Sequence, residues 1–455
     1  MPQRGSQNYT TRIAGLAWPI LIGQLAVIAN AVLDTMMVSR FSVTDLGALA
    51  VGASIYISIF VGLNGVLQSL SPTIGQLYGA RSFSGIGGEV KQGVWLGLFL
   101  SLFGSLLLLF PQPLLSVAQA SPELTAKATL YLRTLAMALP ATLGFVIYGA
   151  LNHAMGRPKM VMALQVSGLM LKIPLNALFI FGGLGLPALG GPGCAIATTI
   201  TSWLILAAGW LILRFNPFYR AFHLFGTGFV APQWKSQKEL LKLGIPVGMN
   251  YFIEVTAFTF MALFIARLGE TVVAGHQIIG NFATVLYMLP LSIASATGTL
   301  TSHAIGAYDA TGARRIGFAG IRLAAIASTT VGILIWLGRA YIVRAYTPNE
   351  SIAAIALPLF LFIAAYQFFD SIQVTASYIL RAHKVVLAPT VMYTLTLWCI
   401  GLGGGYVLGL DPFGLNPPAA LTGAGGFWFS NSISLIILAA CMLWLLRRTQ
   451  KRTQL

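Results

Sequence analysis

Three carboxylates stand alone inside long apolar stretches: Asp34 within residues 13–39, Glu254 within 243–266 and Asp370 within 351–380. None of these stretches holds another Asp, Glu, Lys or Arg. A charge at bilayer depth costs roughly 2.5–3.5 kcal/mol on insertion scales, and such residues are kept where they move ions, protons or a charged ligand. Their neighbours sharpen the reading. Asn250, Glu254 and Phe258 recur every four residues and share one helical face, and so do Tyr366 and Asp370. Two carboxylates converging in a low-dielectric cavity resist being charged together, so such a pair would take up a proton or a small hard cation such as sodium. The chemistry implied is exchange of a cation at acidic side chains.

To hold acids at that depth, the chain needs helices that cross a bilayer, and its composition supplies them. Of 455 residues, 57% are hydrophobic and 8% charged, against roughly 25% charged in soluble proteins. Apolar stretches predict twelve spans, at 13–39, 46–72, 92–111, 128–151, 160–182, 193–213, 240–266, 271–300, 316–338, 351–380, 385–409 and 421–446. The expected fold class is an all-α integral membrane protein. An even count returns both termini to one side.

The net charge of +16 would suit a nucleic-acid partner, but its distribution argues for orientation in a bilayer. With the N-terminus inside, 20 of the 27 Lys and Arg residues fall at the termini and inner loops, from Arg4 and Arg12 to Lys451 and Arg452; six fall at outer ends and Lys172 lies within a span. That bias places both termini in the cytoplasm. The first apolar stretch is too long for a signal peptide and is retained as a helix. Cys194, Cys399 and Cys441 lie in separate spans and read as small buried hydrophobes, and the five histidines lack metal-ligand spacing. No Gly-x-x-x-x-Gly-Lys-Ser/Thr loop occurs, so direct drive by ATP is not supported, and no nucleophile, base and acid cluster suggests an enzyme.

Shifting the chain along itself by 227 positions aligns Leu16-Ala17-Trp18-Pro19 with Leu243-Gly244-Ile245-Pro246, Arg40 with Arg267 and Gly79-Ala80 with Gly306-Ala307. This pattern predicts duplication into two six-helix lobes, residues 1–213 and 240–455, joined by a cytoplasmic linker at 214–239. Because six is even, the lobes would be related by a pseudo-two-fold axis along the membrane normal. The acids break the repeat: Asp34 aligns with Met261 and Glu254 with Val27.

At this point the motifs carry a resemblance. Asp34-Thr35-Met36-Met37, Gln76-Leu77-Tyr78-Gly79-Ala80, Gly156-Arg157-Pro158-Lys159, Ile173-Pro174-Leu175-Asn176, the glycine-rich 185–191, Glu254, and Tyr366 with Asp370 resemble the multidrug and toxic compound extrusion (MATE) family. The likeness runs through both halves. It implies a bacterial inner-membrane antiporter, driven by protons, sodium or both and without another cofactor, that exports cationic or amphiphilic drugs by alternating access. By the same resemblance Glu254, Tyr366 and Asp370 would bind the coupling cation, with sodium between the two acids, and Asp34 and Asn176 would form a second polar site. Gln277, Tyr287 and Phe258, with Glu254 and Asp370, would contact substrate, and Pro19 would be a hinge in the first helix. Planar organic cations suit such a cavity through cation–π contact and charge neutralisation. The expected partners are those compounds and membrane lipids, with the protein a monomer.

Lys172 departs from the pattern, standing where relatives have Asn one turn before Asn176. Paired with Asp34 it would replace an open cation site with a buried ion pair. The rival within the superfamily is a lipid-linked saccharide flippase, whose cavity would need several cations for a diphosphate. The spans offer only Lys172 against three acids.

Overall fold

In a computed structural model the chain is described at residues 9–116, 121–183, 185–225, 228, 230–418 and 421–452; Arg4, part of the expected inner charge, lies outside the described residues. Among the described residues twelve helices are long and apolar enough to cross a membrane: α1 Tyr9–Ser39, α2 Val43–Gly79, α3 Phe83–Leu109, α4 Pro122–Ala154, α5 Pro158–Phe181, α6 Gly191–Phe215, α7 Trp234–Ala266, α8 Glu270–Gly306, α9 Ala310–Tyr346, α10 Glu350–Ala382, α11 Leu387–Leu410 and α12 Ala424–Arg452. Among the described residues the extended structure is confined to an isolated bridge between Gly183 and Leu186. Hydrocarbon offers no partners to N–H and C=O groups, so a spanning segment must satisfy them within itself.

All twelve spans match the expected ones in order, and most overrun them. α9, expected at 316–338, extends far enough to include Arg314, Arg315, Arg339 and Arg344. Hydropathy reads only the apolar stretch, whereas the hydrogen-bonded turns continue until a cap stops them. Helix starts are set by caps: Ser42 accepts from the Asp45 N–H, Asp309 from Gly312, and Asn349 from Ser351 and Ile352. Two spans are interrupted. α2 breaks at Gln68–Ser69, and α11 carries a π-helical stretch over Leu395–Gly403, a rare geometry that often accompanies functional sites.

The chain forms two compact units, residues 22–248 and residues 1–21 with 249–455. Both boundaries cut helices, α1 after Leu21 and α7 after Gly248. They lie 227 positions apart, the shift of the sequence repeat, and each follows a helix proline, Pro19 or Pro246, by two residues. The expected division at 213 and 240 differs from this one because the first turns of α1 pack with the later helices. Ile13, Ala17 and Ile20 are buried in one cluster with Ile293, Ala296, Leu300 and Ile316.

Of residues 214–239, expected as a linker between lobes, those described on either side of 226–229 contact the first unit. Gln92 of α3 accepts from the Gln233 N–H at 2.8 Å and donates to Ala231 O at 3.1 Å, while Trp95 donates to Val230 O at 2.8 Å. Gly87 permits the approach, since a Cβ there would overlap the Phe222 carbonyl oxygen.

At the opposite ends of these helices, Asp45 is 1% exposed and ties three of them together. Its carboxylate accepts from the Gly191 N–H at 2.9 Å and from Lys127 Nζ at 2.7 Å. Gly190 has φ +60, and a Cβ there would meet the Asp45 carboxylate and the Phe41 ring. The glycine-rich 185–191 motif thus delivers a helix N-terminus to a buried acid.

Candidate functional site

Asp34 sits on the portion of α1 that belongs to the first unit, facing α5. Lys172 Nζ lies 2.6 Å from Asp34 Oδ2, and Asn176 Nδ2 donates to Oδ1 at 2.8 Å. Lys172 and Asn176 are one turn apart, so a single face of α5 meets both carboxylate oxygens. Exposure is 9% for Asp34, 5% for Lys172 and zero for Asn176. Lys172 and Asp34 thus form a buried ion pair. A buried pair of this kind is held by mutual attraction that just offsets its desolvation, and removal of either partner strands the other charge. With both oxygens engaged, the site has the character of a structural clasp.

The second unit assembles the other two acids differently. Asp370, 2% exposed in the middle of α10, accepts through Oδ1 from Gln373 Nε2 at 2.9 Å. Its Oδ2 is buried and has no hydrogen-bond partner. Glu254 on α7 is half-buried, with Asp370, the Tyr393 hydroxyl and Arg381 close enough to act on its charge. Tyr287 on α8 is half-buried, with Glu254, Tyr393, Asp370 and Tyr251 close enough for their charges to act on it. Glu254, Asp370 and Tyr287, which the resemblance assigned to cation and substrate, lie near one another in the second unit.

Tyr366 and Phe258 form the aromatic side of the same constellation. Their ring centroids lie 6.5 Å apart, and the indole of Trp428 on α12 meets Tyr366 at 5.9 Å and Phe258 at 6.5 Å, all edge-on. Trp428 is fully buried and donates its N–H to His276 Nδ1 at 3.2 Å. Gln277 stands apart from this pattern: it is exposed and donates to Asn281 one turn on, at 3.2 Å. Asn250 is buried on the Glu254 face, its Oδ1 unpartnered.

Four participants are absent from the sequence reading. Gln373 was visible as a polar residue one turn from Asp370 in an apolar stretch. Trp428 and Tyr393 carry no local signal, because α11 and α12 reach the acids only through tertiary packing. Arg381 reads in sequence as one more inner-end charge. In the structure its guanidinium donates to the Tyr251 hydroxyl at 3.3 Å and lies 4.6 Å over the Tyr378 ring. Tyr251 is one turn from Glu254, so Lys172 is not the only cation within the helices, as the sequence suggested.

Among the described residues no group of three or more His, Cys, Asp or Glu side chains could hold a metal ion. What the second unit offers is a pair of carboxylates with one oxygen lacking a donor. An unpartnered buried carboxylate oxygen is costly and fits a proton on that oxygen, or a small cation beside it.

Comparison with known proteins gives the following matches. The MatE family model matches twice, over residues 19–178 and 246–407; the matches start at Pro19 and Pro246, again 227 positions apart. A probable multidrug resistance protein NorM of Aromatoleum aromaticum is 38% identical over 438 residues, covering 96% of this chain and 94% of that protein. The multidrug resistance protein NorM of Aliivibrio fischeri is 34% identical over 446 residues, covering 97% and 96%. The chain also superposes on a solved structure described as the outward-facing conformation of a multidrug resistance MATE family transporter of the MOP superfamily, with TM-score 0.88, 18% identity and coverage of 100% and 99%.

Proposed function

The chain belongs to the MatE family, and on that premise we propose that it is a multidrug efflux antiporter driven by protons, sodium or both. The substrates in this reading are cationic and amphiphilic compounds, taken from the cytoplasm and released outside as a monomer with both termini inside. The observation that carries the proposal is the buried, unpartnered Oδ2 of Asp370 beside Glu254. A site that holds a proton or cation in one state and gives it up in another needs an acceptor of this kind, in a low dielectric where one charge is felt strongly.

In the proposed cycle, Glu254 and Asp370 carry the coupling cation, with Tyr366 and Tyr393 as hydroxyl neighbours. A planar cationic substrate competes for the same negative charge and packs against Phe258, Tyr287 and the Trp428 cluster. Cation entry then displaces drug, and drug entry displaces cation, which is antiport by linkage. Asp34, spent on Lys172 and Asn176, serves the fold instead of the cation. The paired prolines of α1 and α7, set two residues before the unit boundaries, support a hinge role for Pro19 and suggest the same for Pro246. A lipid-linked saccharide flippase is less well served, because Lys172 is committed to Asp34 and Arg381 to a tyrosine cage.

The experiment is efflux of a fluorescent planar cation from proteoliposomes with sodium and pH gradients imposed separately. At least one gradient should drive uphill transport, and Glu254→Gln or Asp370→Asn should stop it at equal membrane abundance. Uphill transport that survives both substitutions would remove the proposed coupling site.

A further inference from the structure

The turn that follows α6 forms a second site, open on one side. Residues between Leu213 and Phe225 line a half-open pocket of about 450 Å³, with Arg214, Arg220 and His223 on its wall beside Phe215 and Phe225. Among the described residues no carboxylate lies within 4.0 Å of either arginine. Arg214 lies 5.6 Å over the Phe225 ring, and Trp210, one turn earlier, meets that ring edge-on at 6.0 Å. At the end of this membrane helix Trp210 and Phe215 remain 51% and 68% exposed.

The wall is rigid. Tyr219 is 1% exposed and donates to Asn152 Oδ1 of α4 at 2.6 Å; burial raises its hydroxyl above the usual tyrosine range, against a smaller opposing effect of Arg157, so it stays a donor. Arg157 sits 3.5 Å over the Phe218 ring, and the Gly87 contact clamps Phe222 and His223 on α3. His223, at φ 49, closes the turn by donating its N–H to Arg220 O. The cations are therefore presented by fixed backbone, next to aromatic rings at the polar end of a spanning helix.

We propose that this pocket binds the phosphate headgroup of an anionic phospholipid, with Arg214 and Arg220 on the phosphate oxygens, His223 donating to a further headgroup oxygen, and Trp210 and Phe215 against the first acyl carbons. The planar guanidinium fork matches phosphate oxygens. Tryptophan and its apolar neighbours belong at the headgroup level of a bilayer, and basic pockets at helix ends on the cytoplasmic side are suited to lipid headgroups. A free phosphate ion would find the two arginines but gain nothing from the apolar collar.

The test is native mass spectrometry of the full chain in neutral detergent, titrated with phosphatidylglycerol, phosphatidylcholine or inorganic phosphate. Wild type should retain phosphatidylglycerol in preference to phosphatidylcholine. Replacing both arginines (Arg214→Gln with Arg220→Gln) should weaken phosphatidylglycerol about thirtyfold, and Arg220→Gln alone, which leaves α6 untouched, about fivefold. Arg447→Gln with Arg448→Gln, which removes the same charge from the exposed end of α12, should leave the preference intact. Unchanged lipid retention in Arg220→Gln, equal loss in the α12 control, or displacement of the lipid by equimolar inorganic phosphate would each overturn the assignment.

Discussion

Lys172→Met tests the clasp in the first unit most sharply. The substitution keeps the volume of the side chain and deletes the ammonium 2.6 Å from Asp34 Oδ2. Asn176 still donates to Oδ1, but that hydrogen bond exists in the wild type and offsets nothing new. A carboxylate 9% exposed is then left with no counter-charge within 4.0 Å among the described residues, for which removal of one partner costs about 3–5 kcal/mol. At about 3 kcal/mol the folded-to-unfolded ratio falls more than a hundredfold. Asp34→Asn strands Lys172 and should cost a similar amount. Asp34→Asn with Lys172→Met leaves no buried charge, and isosteric neutral replacement is often close to neutral, so the double variant should recover most of the loss. The assay is unfolding in mixed micelles followed by tryptophan fluorescence for all four proteins of the cycle. Lys172→Met as stable as wild type, or a double variant that loses the sum of the singles, would refute the reasoning.

Other expectations follow from single contacts. Asp45→Ala should destabilise the first unit by about 1–3 kcal/mol, since it leaves the Gly191 N–H without its acceptor, while Lys127, 33% exposed and also paired with Glu123, is not stranded; Lys127→Ala should cost about 3 kcal/mol, because the Asp45 carboxylate, 1% exposed, loses its counter-charge. The same unfolding assay ranks the two. Gly87→Ala puts a methyl onto the Phe222 carbonyl and should free the 217–225 segment for limited proteolysis while efflux at saturating substrate changes little. Planar organic cations should compete for binding with one another and not with anions of equal size, and tighter binding of the anion in an equilibrium assay would favour a flippase-like cavity. Trp428→Phe should lower substrate affinity several-fold through loss of the indole N–H to His276 and of ring contact with Tyr366 and Phe258.

Helix number and order were legible in the sequence because apolar length is a direct demand of the bilayer. The ends were less so: capping residues such as Asn349 and Asp309, not hydropathy, decide where a helix begins. Asp34, Glu254 and Asp370 stood out since an isolated charge in an apolar stretch is costly and seldom kept without a role; the Asp34–Lys172 pair needed the resemblance, which puts Asn176 beside Asp34, as well as the one-turn spacing of Lys172 from Asn176. Spacing could not reveal Trp428, Tyr393 or the tyrosine cage of Arg381, which arise where distant helices pack. The same limit applies to Asp45, whose partners Gly191 and Lys127 lie 146 and 82 positions away. A 227-residue repeat was visible, yet the exchange of the first turns of α1 and α7 between units was not, because apolar residues do not specify which apolar neighbour they meet.

In the proposed cycle the acids of the second unit, and not Asp34, couple cation to drug. This division of roles is tested by gradient-driven efflux in proteoliposomes for two matched variants, Asp370→Asn and the double replacement of Asp34 by Asn with Lys172 by Met. The double replacement should retain uphill transport at near wild-type rate, while Asp370→Asn should only equilibrate the substrate. Uphill transport by Asp370→Asn, together with its loss in the double replacement, would contradict it.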